Sequence, residues 1–154
     1  RDAAGVRGIR LTDEARVIAL IVLGEGHVLT ASENGYGKLT PLDEFPVHSR
    51  GGQGVIALQT TERNGATVAA LQVQPTDELM LISSGGTLVR TRVGDISVVG
   101  RNTQGVRLIR LDEGDRLSGV ERVEALTLDE SVDTTEDAPL VGDPGESTDS
   151  APAP

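Results

Sequence analysis

The chain has 154 residues, 24 of them acidic and 14 basic, for a formal net charge of −10, with no Cys, no Trp and only two aromatics, Tyr36 and Phe45. That length suits one domain with a real core, since chains of about 150 residues bury roughly 70% of their unfolded surface, and the missing cysteines exclude a disulfide framework, a thiolate zinc site and a Cys nucleophile. The longest apolar run, Val17 to Leu23, has seven residues, against the roughly 20 of a membrane helix, and no basic-then-apolar leader opens the chain, so a soluble protein of the reducing cytoplasm, without a membrane partner, is expected.

In chain order, three segments share one frame: Arg1-Asp2-Ala3-Ala4-Gly5-Val6, Arg50-Gly51-Gly52-Gln53-Gly54-Val55 and Arg101-Asn102-Thr103-Gln104-Gly105-Val106, spaced by 49 and 51 residues. Each runs into a predicted strand, Val6 to Leu11, Val55 to Thr60 and Val106 to Leu111. Val17 to Leu23 and its counterpart Val68 to Val73 are apolar on both parities, the pattern of strands buried on both faces. Then come two predicted hairpins. Val28 to Ser32 turns at Glu33-Asn34-Gly35 into Tyr36 to Pro41, and Leu79 to Ser83 turns at Ser84-Gly85-Gly86 into Thr87 to Val93, with glycine supplying the positive φ of a tight turn. Ser32, Gly35, Thr40 and Phe45 correspond to Ser83, Gly86, Thr91 and Ile96 at a displacement of 51. No segment carries a capped helical stripe. Four short strands in a repeat of about 50 residues predict an all-β fold of propeller-like blades, with a sandwich as the alternative.

Charge divides the chain. Residues 129–154 hold eight acids, no Lys or Arg, and four of the seven prolines; with too little apolar surface to offset its ordering entropy, this tail is expected to be disordered. Residues 1–128 carry 16 acids against 14 bases, and between Leu79 and Leu111 the only acid is Asp95 against Arg90, Arg92, Arg101, Arg107 and Arg110. Such a basic stretch is either a nucleic-acid footprint or a solvated face paired with acids elsewhere in the fold. The only methionine is Met80 and the chain opens on Arg1 within a repeat, so it is expected to be a piece of a longer polypeptide.

The stretch Thr30-Ala31-Ser32-Glu33-Asn34-Gly35-Tyr36-Gly37-Lys38, then Ser49-Arg50-Gly51-Gly52, Gly86-Thr87-Leu88-Val89-Arg90-Thr91-Arg92 and Val99-Gly100-Arg101-Asn102-Thr103-Gln104-Gly105-Val106 closely resembles the C-terminal domain of the DNA gyrase A protein. The resemblance runs from Arg1 to about Leu126, over two whole repeats and the start of a third, and the acidic tail also resembles the end of gyrase A. It implies a β-pinwheel whose basic perimeter binds, bends and wraps double-stranded DNA. It further implies a place beside the rest of gyrase A and, through it, gyrase B in a heterotetramer that supercoils DNA negatively, using ATP and Mg2+ on other domains; no cofactor, metal or catalytic residue is expected within this chain. The family's wrapping box, a glutamine followed by basic residues and glycines, has only a degenerate echo in Ser49-Arg50-Gly51-Gly52-Gln53-Gly54. DNA binding therefore carries over, but the ability to drive chiral wrapping unaided does not. The alternatives are the equivalent domain of topoisomerase IV and, from another class, a protein-interaction propeller without DNA binding.

Wrapping calls for cations on an outer edge without base readout, and Arg meets phosphate bidentately. Strand alternation places Arg90 and Arg92 on one face, which makes them the first DNA-facing pair, with Lys38 on the matching strand of the preceding repeat next. Arg50 and Arg101 open their repeats beside turns whose amides also suit a phosphate, with blade-to-blade ties through carbonyls or carboxylates as the equal alternative. Arg107 and Arg110 have opposite parities, so one of them is expected to be structural. Gly35-Tyr36-Gly37-Lys38 lacks P-loop spacing, Tyr36 reads as a packing aromatic, and His27 and His48 lack a third metal ligand. With two aromatics there is no stacking platform for single strands. The acidic pairs Asp43-Glu44, Asp77-Glu78 and Asp112-Glu113 read as solubilising turn residues, and the tail equally as a solubilising segment or as a competitor of duplex for the basic rim.

Overall fold

The computed structural model describes residues 2–123; the acidic tail lies outside the described residues, as does Arg1. Among the described residues there are seven strands: β1 (His27–Ser32), β2 (Tyr36–Pro41), β3 (Thr67–Val73), β4 (Glu78–Ser83), β5 (Leu88–Arg92), β6 (Val106–Arg107) and β7 (Leu117–Val123), with single 3₁₀ turns at Leu42–Glu44 and Val93–Asp95. They form a four-stranded sheet, ordered β3-β1-β2-β6, and a three-stranded one, ordered β5-β4-β7. All the pairings within them are antiparallel. Both predicted hairpins are found at their predicted places. Gly35 turns the first with φ of 81°, a conformation that costs an L side chain strain and glycine nothing.

The connectivity departs from a simple chain of repeats. β3 opens the second repeat but pairs with β1 of the first, Leu29 opposite Leu71 and His27 opposite Val73. In the same way β7, from the third repeat, completes the second sheet, Leu81 opposite Val120. Each hairpin therefore obtains its inner strand from the repeat that follows it. This accounts for one correction: Val17 to Leu23 is not a strand and is exposed, Leu20 by 93%. No hairpin precedes it among the described residues, so its backbone has no ladder to join. Val6 to Leu11 and Val55 to Thr60 are not strands either. The first meets the chain at a single parallel bridge, Ile9 with Gly52, where Arg10 N donates to Gly52 O at 2.7 Å. Of Val106 to Leu111 only the first two residues pair, with Tyr36 and Gly37, before Leu108 N bends in to Gly35 O at 2.8 Å.

One core joins the two sheets. Leu29, Ala31, Leu39 and Val73 of the first pack in the same cluster as Leu79, Leu81, Leu117 and Val120 of the second, with Val93, Ile96 and Ile109 from the connections closing it. Two polar knots finish the blades. At the first hairpin, Asn64 is fully buried; its Nδ2 donates to Gln59 O at 2.8 Å and Gln104 O at 3.1 Å, while its Oδ1 accepts from Thr61 N at 2.7 Å. At the second, Asp115, 51 residues on in the repeat, accepts from Gly85 N at 2.7 Å, Ser84 Oγ at 2.8 Å and Arg116 N at 2.8 Å.

The hydroxyls of Ser83 and Ser84, followed by the Gly85 and Arg116 amides, push the Asp115 carboxyl down to about 2. A carboxyl lowered on folding stabilises the fold fully above its unfolded value of about 3.9, and that contribution is lost as pH falls toward 2. Asp115→Asn is therefore expected to flatten the loss of melting temperature between about pH 4 and pH 2. An acid limb as steep as that of the parent would refute the assignment. The acidic pairs are likewise not all solubilising. Asp77 is buried, accepts from Gln74 N at 2.7 Å and sits 3.6 Å from Arg122, and Glu78 pairs with Arg90.

Candidate nucleic-acid interface

β6 ends the first sheet at the edge opposite β3, and β5 ends the second at the edge opposite β7. Along β5 exposure alternates: Leu88, Arg90 and Arg92 face out while Val89 and Thr91 turn inward. The expected pair thus shares one exposed face. Arg90 bridges to Glu78 across the ladder, and its side chain keeps 63% of its surface exposed. An exposed pair of this kind is worth about 1 kcal/mol or less, so a phosphate can replace it. Arg92 has no ion pair among the described residues.

The other expected cations divide by burial. Lys38 is a correction: it is fully buried, and its ammonium donates to Gly100 O at 2.8 Å, Thr103 Oγ1 at 3.2 Å and the Arg101 carbonyl. Burial first, then the charge of Arg101, push it down to about 8, with Glu44 opposing. Alternation along β2 fails to send it outward because the loop that feeds β6 covers the strand. Gly105 makes that cover possible, with φ of 77° and its Cα so near β2 that a Cβ would lie 2.6 Å from Gly37 O.

Arg101 takes the tying role, Nε donating to Glu44 O at 3.0 Å and NH1 to Ile56 O at 2.9 Å. Arg50 is exposed, but the neighbouring Gly51 amide is already used by Gly8 O at 2.8 Å, so it does not add to an anion nest. Arg107 and Arg110 are both exposed. Their opposed parities do not separate them, because β6 ends at Arg107. Arg107 donates to the Tyr36 hydroxyl at 2.8 Å. Arg63, which no sequence motif singles out, lies over the same ring. The Arg107 hydrogen bond, then that of Arg63, hold the Tyr36 phenol below its ordinary value. Among the described residues no group of three or more His, Cys, Asp or Glu is placed to hold a metal, and no helix is long and apolar enough to cross a membrane.

A family model described as "DNA gyrase C-terminal domain, beta-propeller" matches residues 1–23, 26–74 and 77–124. The chain belongs to this gyrase family. The matched stretches are offset from the repeat frames: the second runs from β1 to β3 and the third from β4 to β7. The DNA gyrase A protein of Salmonella typhimurium is 51% identical over 93% of the chain, and the chain spans 16% of that relative's length. A solved gyrase A C-terminal domain is similar in fold with a TM-score of 0.60 at 31% identity, over 62% of this chain and 33% of that one. A topoisomerase IV C-terminal domain reaches a TM-score of 0.70 at 26% identity, over 79% of this chain and 38% of that one. The two folds are thus shared, and the much higher sequence identity lies with gyrase A, so the topoisomerase IV alternative is not favoured. The all-β pinwheel expected from the repeat and the resemblance is the fold observed.

Proposed function

We propose that this chain binds duplex DNA along the outer edges of its blades and bends it, as the C-terminal module of a gyrase A protein within an assembly that includes gyrase B and supercoils DNA in the cytoplasm at the expense of ATP. The module itself catalyses nothing; cleavage, ATP and Mg2+ belong to the rest of the assembly. In this reading residues 1–128 are the partial pinwheel and 129–154 an acidic tail able to compete for its rim. The observation that carries the proposal is the exposed face of edge strand β5, where Arg90 and Arg92 project together, with Arg107 and Arg110 exposed beyond them. Arg50 is retained as a peripheral contact, whereas Lys38 and Arg101 act by holding the blade that presents the others.

The test is binding to a mixed-sequence duplex of about 40 base pairs as a function of salt. Log affinity is expected to fall linearly with log salt, and the Arg90→Ala, Arg92→Ala double variant to lose roughly 1.8 in slope, since each phosphate contact contributes about 0.9. An unchanged slope would remove this pair from the interface. A folded chain without affinity for duplex at low salt would mean an interaction scaffold for acidic proteins instead.

A further inference from the structure

Two arginines from different repeats converge on one aromatic ring. The guanidinium carbon of Arg63 lies 4.8 Å from the Tyr36 centroid and that of Arg107 5.4 Å from it. The ring is buried, only 5% exposed, whereas both arginines are exposed. Neither guanidinium has a carboxylate partner among the described residues, although other surface arginines do: Arg90 with Glu78, Arg116 with Glu33 and Arg122 with Asp77. Two like charges gathered over one ring without a counter-ion form a local site for an anion.

The site is also held in shape. Asn34 Nδ2 donates to the carbonyls of Glu62 and Arg63 at 3.2 Å each, which fixes the Arg63 loop on the first hairpin turn. Buried Asn64 ties that loop to Gln104 O at 3.1 Å, three residues before Arg107. The phenol fixes the Arg107 fork from below. Because the ordering cost is met within the fold, less is lost when a ligand binds.

We propose that Arg63 and Arg107, seated on Tyr36, form a clamp for a phosphodiester of the duplex backbone at the outer corner of the first blade. A nucleobase does not suit the site, because the ring that would stack on it is already buried under guanidinium groups. Arg107 stands on β6, the end strand of one sheet, as Arg90 and Arg92 stand on β5, the end strand of the other, and in this proposal one duplex runs over both edges. The clamp rests on the DNA-binding reading above and adds to it a site of which half, Arg63, comes from a loop outside the basic stretch.

The experiment is the salt titration on the full chain with the duplex used above, comparing the parent, Arg63→Ala with Arg107→Ala, and Arg63→Lys with Arg107→Lys. The alanine pair is expected to lose about 1.8 in slope, which is on the order of 60-fold in affinity at 0.1 M salt. The lysine pair keeps the charge without the flat fork, so it should regain the slope but remain about fivefold weaker than the parent. If the parent binds and the alanine pair keeps its slope, the clamp is wrong and the β5 reading stands. A lysine pair as tight as the parent would reduce the site to diffuse surface charge and equally overturn the clamp. Failure of the parent itself to bind would overturn the DNA-binding reading and the clamp with it.

Discussion

Lys38→Met should destabilise the chain by about 2–4 kcal/mol, measured as the shift in urea unfolding. The ammonium is fully buried and meets three acceptors, the carbonyls of Gly100 and Arg101 and the Thr103 hydroxyl, one for each of its hydrogens. Methionine fills the space, but the Arg101 carbonyl and the Thr103 hydroxyl then lose their donor, at about 1–3 kcal/mol each, while the Gly100 carbonyl keeps the hydrogen bond from Thr103 Oγ1 at 3.1 Å. Relief from burying a charge offsets part of that cost. The pH dependence has a definite sign. Lys38 is lowered from 10.5 to about 8, so the unfolded chain holds the extra proton between those values. The cost of the buried charge is present in full below about pH 8 and is relieved as pH rises toward 10.5. The difference between parent and variant should therefore widen between about pH 8 and pH 10. A loss under about 1 kcal/mol at neutral pH would show that the loop from Gly100 to Val106 is held without the lysine.

Asn64→Ala is expected to cost about 3 kcal/mol, because Gln59 O and Gln104 O lose a donor and Thr61 N loses its acceptor in a buried place. Asn64→Asp separates hydrogen bonding from size. It keeps the acceptor for Thr61 but turns a carboxylate oxygen toward two carbonyls, so at neutral pH it should be no more stable than the alanine variant and should recover partly on acidification, as the protonated acid regains one donor. Stability within about 1 kcal/mol of the parent for both variants would dismiss Asn64 as the tie between the first hairpin and the loop leading to β6. The equivalent position in the second blade is Asp115, where every partner is a donor. The repeat thus reuses one position with opposite hydrogen-bonding demands, and the side chain differs accordingly.

Much of this protein can be read along the chain. The hairpins at Gly35 and Gly86, the all-β class and the alternation that exposes Arg90 and Arg92 follow from local rules: glycine for a left-handed turn, β-branched and apolar residues at period two, and a displacement of 51 between the repeats. The family was legible in the same motifs. Tertiary structure alone decided which repeat completes which sheet, because a strand apolar on both parities, such as Thr67–Val73, carries no mark of its partner, and it pairs with β1 of the preceding repeat. It also decided the fate of the cations. Lys38 and Arg90 both stand on return strands of their hairpins, yet one is sealed beneath a loop arriving 62 residues later and the other is exposed. Arg63 joins Arg107 over Tyr36 only because Asn64 ties together segments 40 residues apart. Sequence sets local conformation through sterics and short-range bonds, whereas burial, and with it the working charge of a side chain, is a property of what the rest of the chain packs against it.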